Sequence, residues 1–129
     1  MKRRVLVVDD NPGMRRLLQA TLQQIECTTI LAEDGETALT LARENELDAV
    51  LLDVNLPGLD GIQVCHAIRG DPATARVPVI MLTGRGDEEA QARAHAAGAS
   101  AYLVKPSSPR VVKKVLLELI GDQEGTTRR

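Results

Sequence analysis

The residues with the clearest chemical potential in this chain are three aspartates that follow short apolar runs. Asp9 and Asp10 come directly after Val5–Val8, and Asp53 comes directly after Ala49–Leu52. Apolar runs of this length, bounded by polar residues, are typical of buried strands in a parallel sheet. If these two strands are neighbours, the three carboxylates meet at one edge of that sheet.

Such a cluster of like charges lowers stability unless a cation balances it. Two unit charges about 4 Å apart repel by about 4 kcal/mol at an effective dielectric constant of about 20. Because stability alone would not favour three neighbouring carboxylates, the cluster indicates a cation site with a chemical role.

The elements that would position the aspartates alternate regularly between strand and helix. Strand patterns lie at Arg4–Asp9, Thr28–Leu31, Ala49–Asp53, Val77–Leu82 and Ala101–Val104. Helical patterns begin at Asn11-Pro12, at Asp34-Gly35, at Asp60 with Gln63, within Asp87–Ala97 and at Ser108-Pro109, the last ending at Gly121. Such β-α units with short connections predict an α/β fold, a doubly wound parallel sheet of five strands with helices on both faces.

The predicted strands bring the reactive polar residues to one edge of the sheet. In sheets of this class the functional crevice lies outside the carboxyl ends of the strands. Asp9 and Asp10 follow the first predicted strand, Asp53 ends the third, Thr83 follows the fourth and Lys105 follows the fifth. We therefore expect all of these side chains to share one crevice.

The composition fits one domain with an aliphatic core. Of the 129 residues, 43% are hydrophobic, yet Phe and Trp are absent and Tyr102 is the single tyrosine. We assign the domain to residues 2–121 and predict a polar, disordered tail at residues 122–129. The fourth predicted helix turns only alanines inward, so we expect it to be weakly held and mobile. These alanines are Ala90, Ala94 and Ala97.

Charge and cysteine usage limit the surroundings of the protein. The net charge is −2, from 16 basic and 18 acidic residues, which argues against direct binding to nucleic acid. No apolar run approaches the roughly 18 residues of a membrane span, so we expect no membrane contact. Cys27 and Cys65 form no CxxC pair and suggest no disulfide, which fits a cytoplasmic location.

Several motifs together resemble the receiver domain of response regulators in two-component signalling. They are Asp9-Asp10, Asp53 within LLDVNLPGLDGI, Thr83 within VIMLTG, and Lys105-Pro106 after Tyr102. The resemblance covers essentially residues 2–121 and implies a flavodoxin-like sheet with the strand order 2-1-3-4-5. It also implies a phosphorelay: a histidine kinase or phosphotransfer protein donates a phosphoryl group, and the face of the fourth helix, fifth strand and fifth helix then switches toward an unknown protein target.

The resemblance also assigns roles at the phosphoacceptor and the metal. Asp53 is expected to accept the phosphoryl group, because a carboxylate is a competent nucleophile that yields an acyl phosphate. Asp10, Asp53 and the backbone carbonyl of Asn55 are expected to bind Mg²⁺ directly, with Asp9 acting through water. Mg²⁺ suits such a site because it prefers few carboxylates, several waters and phosphate oxygens.

The resemblance also implies that further residues bind the phosphoryl group or respond to it. Lys105 would bind the phosphoryl oxygens, and its peptide bond to Pro106 is expected to be cis. Thr83 would be the switch hydroxyl, and the Tyr102 ring would turn inward when Thr83 moves. Asn55 and Arg85 occupy positions that tune dephosphorylation in this family. The alternative interpretations are a strand-end hydroxyl for Thr83 and a half-buried edge aromatic for Tyr102.

The sequence also bears on two alternative functions. One alternative is an aspartyl-phosphate-forming phosphatase of small phosphate esters, but that class places D-x-D after the first strand, unlike Asp9-Asp10-Asn11. A flavodoxin-type cofactor binder would need a Gly-rich or Ser/Thr-rich phosphate loop there. We expect no enzymatic action beyond the protein's own phosphorylation and dephosphorylation. Whether the receiver stands alone or belongs to a longer protein is left open by the sequence.

Overall fold

Strands and helices alternate along the chain in a computed structural model that describes residues 2–127, with side chains as far as residue 121. The strands are β1 (Arg3–Val8), β2 (Cys27–Ala32), β3 (Ala49–Leu52), β4 (Val79–Thr83) and β5 (Ala101–Val104). The helices are α1 (Pro12–Gln23), α2 (Gly35–Glu44), α3 (Gly61–Gly70), α4 (Glu88–Ala96) and α5 (Pro109–Thr127). The predicted alternation is confirmed.

All strands of the sheet are parallel, in the order β2-β1-β3-β4-β5. This order confirms the doubly wound α/β fold. In the register of the sheet, Val8 of β1 lies opposite Leu52 of β3. The loops that follow these strands therefore start side by side, and they carry Asp9 and Asp53.

The core is aliphatic and lies on both faces of the sheet, as predicted from the composition. Successive strand residues point to opposite faces. Leu6 and Val8 of β1 pack in the cluster beneath α2 and α3, whereas Val5 and Val7 pack in the cluster beneath α1 and α5. Each of these four side chains is at most 1% exposed. The central strands are thus fixed from both sides, which makes their carboxyl ends a rigid support for a site.

Asn or Asp caps the start of each helix from α1 to α4. Side-chain oxygens of Asn11, Asp34, Asp60 and Asp87 each accept a hydrogen bond from a backbone N–H in the first turn. Such a cap contributes about 1 kcal/mol to helix stability. The capping box predicted for Asp60 and Gln63 is present, with both reciprocal hydrogen bonds formed. Each cap thus marks the point at which the loop after a strand ends and the next helix begins.

Some predicted strand limits are wrong by one or two residues. β1 and β3 end at Val8 and Leu52, so their aspartates lie in the following loops, and β2 extends one residue further at each end than predicted. β4 begins at Val79 rather than Val77, because Pro78 has no N–H to donate to the ladder. β4 also includes Thr83, whose carbonyl accepts a hydrogen bond from the backbone of Lys105.

The predicted end of the last helix at Gly121 is also wrong. α5 continues to Thr127, and Gly121 does not adopt the positive φ that ends many helices. Residues 128 and 129 of the predicted tail lie outside the described residues, and disorder of the tail stays a prediction. Among the helices described, none is long and apolar enough to cross a membrane.

Candidate functional site

The loops after β1 and β3 bring Asp9, Asp10 and Asp53 together, as the strand pattern predicted. One carboxylate oxygen of each residue lies within 4.8 Å of those of the other two. The side chains of Asp9 and Asp53 are 3% and 9% exposed, whereas Asp10 is exposed. The cluster therefore has two nearly buried carboxylates and one that faces solvent.

Backbone hydrogen bonds fix the two buried carboxylates. Asp9 Oδ1 accepts from the N–H of Asn11 at 2.9 Å, and Asp53 Oδ1 accepts from the N–H of Asn55 at 3.1 Å. The N–H of Asp53 in turn donates to the carbonyl of Val8 at 3.1 Å, which ties the β3 loop to β1. These contacts hold Oδ1 of each aspartate and leave Oδ2 directed toward the end of β5.

Lys105, at the end of β5, bridges the two buried carboxylates. Its Nζ donates to Asp9 Oδ2 at 2.7 Å and to Asp53 Oδ2 at 2.9 Å. Burial lowers the pKa of Lys105, but hydrogen bonds and charges from Asp9 and Asp53 outweigh burial and raise it overall. The ammonium therefore stays charged at neutral pH and offsets part of the repulsion in the cluster. The peptide bond between Lys105 and Pro106 is cis, the isomer that the resemblance implied.

The donor set of the cluster fits a hard divalent cation. Carboxylate oxygens, together with water, are the ligands that Mg²⁺ prefers. Within the described part of the chain, the Asp10 carboxylate has no hydrogen bond or ion pair, so it is free to bind a ligand. Asn55, whose carbonyl was expected to join the metal ligands, lies in the exposed loop two residues after Asp53.

Thr83 and Tyr102 both contact Arg85 in the loop between β4 and α4. Thr83 is fully buried, and its Oγ1 accepts from the N–H of Arg85 at 3.3 Å. Tyr102 is partly buried, and its hydroxyl donates to the carbonyl of Arg85 at 2.6 Å. Burial, the charge of Asp87 and, more weakly, that of Asp53 raise the pKa of the Tyr102 phenol, against an opposing effect of Arg85. The two predicted switch residues thus meet through one residue of this loop.

Arg15 is a site residue that the sequence reasoning missed. Its Nη1 donates to the backbone carbonyl of Asp9 at 2.8 Å, and its Nη2 lies 4.0 Å from a carboxylate oxygen of Glu33. The guanidinium therefore connects α1 to the loop that carries the acidic pair. An arginine on an amphipathic helix has no distinguishing pattern, so nothing in the sequence marks this contact.

Gly61, at the start of α3, is a second residue that the sequence reasoning missed. A Cβ placed on it would lie 2.0 Å from the backbone carbonyl oxygen of Asp53, and its N–H donates to the carbonyl of Val54 at 2.8 Å. Only a residue without a side chain permits this approach. The capping pattern of Asp60 and Gln63 marked the start of α3, but it gave no role to Gly61.

Comparisons with known proteins agree with this geometry. The family model described as the response regulator receiver domain matches residues 5–117. The transcriptional regulatory protein ResD of Bacillus subtilis is 43% identical over 109 residues, which are 84% of this chain and 44% of ResD. SrrA of Staphylococcus aureus, also named a transcriptional regulatory protein, is 39% identical over 98% of this chain and 52% of its own length. The chain spans about half the length of these curated relatives.

Solved structures of receiver proteins superpose closely on this chain. The chemotaxis protein CheY4 of Vibrio cholerae is 32% identical, with a TM-score of 0.87 over 92% of this chain and 99% of that protein. The receiver domain of the sensor histidine kinase PA1611 from Pseudomonas aeruginosa is 31% identical. Its TM-score is 0.87, over 94% of this chain and 99% of that domain. That structure has a magnesium ion coordinated in its active site cleft. This chain belongs to the response regulator receiver domain family.

Proposed function

We propose that this receiver accepts a phosphoryl group on Asp53 from a histidine kinase or phosphotransfer protein, with Mg²⁺ bound beside it. The receiver role follows from family membership, and the proposal adds the residues. The observation that carries it is the Lys105 ammonium, 2.7 Å from Asp9 and 2.9 Å from Asp53, beside the free carboxylate of Asp10. Nucleophile, cation and metal ligands then lie in one crevice.

The transfer requires Asp53 to act as a nucleophile on phosphorus. A carboxylate oxygen of Asp53 forms the new P–O bond while the P–N bond of the donor phosphohistidine breaks, and the imidazole keeps the electron pair. Lys105 already neutralises the carboxylate, and its flexible stem lets the ammonium turn to a phosphoryl oxygen after transfer. Its raised pKa supports this role because the cation is present at every physiological pH.

The acidic cluster supports the assignment of the metal ligands. Asp10, Asp53 and the backbone carbonyl of Asn55 would hold Mg²⁺ directly, and the ion would offset negative charge during transfer. Asp9 would act through water, because its Oδ1 is engaged by Asn11 and its Oδ2 by Lys105. Asp10 is the exposed member of the cluster, so its carboxylate is best placed to replace a water molecule in the hydration shell of the ion.

Thr83 and Tyr102 would report the phosphoryl group to the rest of the domain. Oγ1 of Thr83 accepts from Arg85, which leaves its proton free to donate to a phosphoryl oxygen. Movement of Thr83 would then shift the loop that holds the Tyr102 hydroxyl and, through it, the face of α4, β5 and α5. A downstream protein target would dock on this face.

The proposal also covers the limits, the location, the partners and the chemistry of the domain. The receiver domain would occupy residues 2–121, in the cytoplasm, where two cysteines stay reduced. Its near-balanced charge supports the proposal that this domain itself binds neither nucleic acid nor membrane, although ResD and SrrA are named transcriptional regulators. Its chemistry would be limited to its own phosphorylation and dephosphorylation, and the phosphatase alternative gains no support from the comparisons.

The test is phosphorylation by a small donor. The protein is incubated with Mg²⁺ and acetyl phosphate, and its intact mass is measured with time. We expect the mass of one phosphoryl group to be added to the wild type and not to the Asp53→Asn variant. Asp60→Asn is the matched control, because it removes a nearby carboxylate while asparagine still caps α3.

Two results would overturn the proposal. One is an adduct that persists in Asp53→Asn, which would place the phosphoryl group elsewhere. The other is hydrolysis of small phosphate esters with turnover that depends on Asp53, which would favour the phosphatase alternative.

A further inference from the structure

Helix α4 has few apolar contacts to hold it in place. Its buried residues are Ala90 and Ala94, and an alanine side chain removes little apolar area from water. At the C-terminal end of α4, Cys65 Sγ lies 3.5 Å from the carbonyl of Ala97, and Arg69 Nε donates to the carbonyl of Gly98 at 2.9 Å. Polar contacts of this kind must also fix its N-terminal end.

The N-terminal end of α4 is held by a bidentate ion pair between Arg85 and Asp87. Arg85 Nε donates to Asp87 Oδ1 at 3.1 Å, and an Nη of Arg85 donates to Asp87 Oδ2 at 3.0 Å. The same Asp87 caps the helix, accepting from the N–H of Ala90 at 3.1 Å. The two parallel hydrogen bonds fix both the distance and the plane of the guanidinium relative to the cap.

The backbone of Arg85 holds the two predicted switch hydroxyls. Its N–H donates to Oγ1 of Thr83, and its carbonyl accepts from the hydroxyl of Tyr102. Arg85 stands between Gly84 and Gly86, and glycine has the least intrinsic preference for any one backbone conformation. The orientation of these two peptide groups therefore needs a support that the neighbouring residues do not provide.

We infer that the ion pair between Arg85 and Asp87 is a latch that positions the hydroxyls of Thr83 and Tyr102. The latch fixes the side chain of Arg85 to the cap of α4, and so fixes the peptide groups on either side of it. One surface ion pair thereby connects the end of β4, the ring on β5 and the start of α4. Arg85 is a positioning residue in this arrangement, since it acts through Thr83 and Tyr102.

The exposure of the latch sets the size of its effect. The side chains of Arg85 and Asp87 are 34% and 47% exposed, so water and salt screen the pair. An exposed ion pair of good geometry changes an opening equilibrium by about two- to fivefold. Loss of the ion pair should therefore shift by this factor the equilibrium between molecules whose Tyr102 hydroxyl is bound to Arg85 and molecules in which it is released. High salt should have the same effect on the wild type.

Tyr102 provides a direct readout of the latch. It is the single tyrosine of a chain without tryptophan, so the intrinsic fluorescence of the protein reports this ring. Quenching of that emission by acrylamide is measured for the wild type, Arg85→Gln and Asp87→Asn at low and high salt. Asparagine keeps the helix cap in the last variant, so only the ion pair is lost.

The matched control is Glu88→Gln, which removes the neighbouring exposed carboxylate from the first turn of α4. We expect Arg85→Gln and Asp87→Asn to increase acrylamide access about two- to fivefold at low salt. Glu88→Gln should behave as the wild type. Equal quenching in all four proteins, each folded by circular dichroism, would overturn the latch.

The phenol titration of Arg85→Gln separates release of the ring from a simple change of charge. The charge of Arg85 lowers the pKa of Tyr102 and burial raises it. Loss of the charge alone would therefore raise the phenol pKa, whereas release of the ring into water would lower it. A lower pKa in this variant is the expected result, and a higher one would contradict the latch.

The connection of the latch to signalling rests on the proposed function and is tested separately. Beryllofluoride with Mg²⁺ imitates a phosphoryl group, and its effect on Tyr102 quenching is compared in the wild type and Asp87→Asn. The variant should need more beryllofluoride for its response, because the hydrogen bond that holds the Tyr102 ring to Arg85 is weakened. If neither protein responds, the proposed function fails, while the quenching without beryllofluoride still decides the latch.

Discussion

At the scale of single residues, Lys105 determines how the cluster behaves before any ligand arrives. Its ammonium separates the carboxylates of Asp9 and Asp53, which would otherwise repel each other in a nearly buried position. The same ammonium would compete for Asp53 with the metal ion proposed above. We therefore expect Lys105 to stabilise the fold and to oppose metal binding at the same site.

Replacing Lys105 with Met should expose both effects. Without Mg²⁺, we expect Lys105→Met to lose about 1–3 kcal/mol of unfolding free energy, because two buried carboxylates lose a charged partner. Mg²⁺ should recover part of that loss and should bind the variant more tightly than the wild type. Urea unfolding with and without Mg²⁺ measures both quantities, and equal stability of the two proteins without metal would contradict the prediction.

The pH dependence of this contribution follows from the raised pKa of Lys105. A group whose pKa is higher in the folded than in the unfolded protein stabilises the fold fully below its ordinary pKa. The contribution is lost as the pH rises through the folded value. The stability difference between the wild type and Lys105→Met should therefore be constant near neutral pH and should shrink in strongly alkaline urea titrations.

Asp10 tests the assignment of the direct metal ligand. Because it is the exposed carboxylate of the cluster and has no partner among the described side chains, Asp10→Ala should weaken Mg²⁺ binding by about tenfold or more. Glu33→Gln is the control, since it removes an exposed carboxylate near Arg15 and outside the cluster. Isothermal titration calorimetry gives both affinities, and an unchanged affinity in Asp10→Ala would refute its role.

At the scale of elements, the start of α3 determines the position of Asp53, the proposed phosphoacceptor. A Cβ on Gly61 would overlap the carbonyl of Asp53, so Gly61→Ala must move α3 or the loop after β3. We expect a loss of about 1–3 kcal/mol and slower phosphorylation by acetyl phosphate. Gly70→Ala, at the other end of α3 with open space around it, should cost little stability and leave the phosphorylation rate unchanged.

At the scale of the whole molecule, Arg69 holds the edge of the sheet opposite the acidic cluster. Its guanidinium donates to the carbonyls of Ala75, Val77 and Gly98 and to Oγ of Ser100. The residue thus joins α3, the entry to β4 and the entry to β5. Because each contact connects different elements, its loss affects the domain as a unit rather than one helix.

Replacing Arg69 should separate stability from chemistry. We expect Arg69→Met to lose about 2–4 kcal/mol, because several partly buried carbonyls lose a charged donor. Mg²⁺ affinity of the folded protein should stay as in the wild type, since the cluster lies at the other edge. Arg76→Met, a nearby exposed arginine, is the control. A change in Mg²⁺ affinity as large as the change in stability would contradict this separation.

The sequence predicted those features that depend on local pattern. The alternation of strands and helices, the caps at Asn11 and Asp60 and the meeting of Asp9 with Asp53 follow from short runs and from the parallel sheet. The roles of Gly61 and Arg69 depend on contacts between distant segments, and the pairing of Arg85 with Asp87 depends on the conformation of one loop. No local pattern carries that information, so these features required the structure.

The bridge from Lys105 to two aspartates has a consequence for the choice of ion. Three carboxylates and one ammonium leave an excess of two negative charges in the crevice. A monovalent ion would leave the crevice charged, whereas a divalent ion brings it to electroneutrality. Lysine thus does more than hold its neighbours apart: by removing one charge of three, it sets the valence that the crevice can balance.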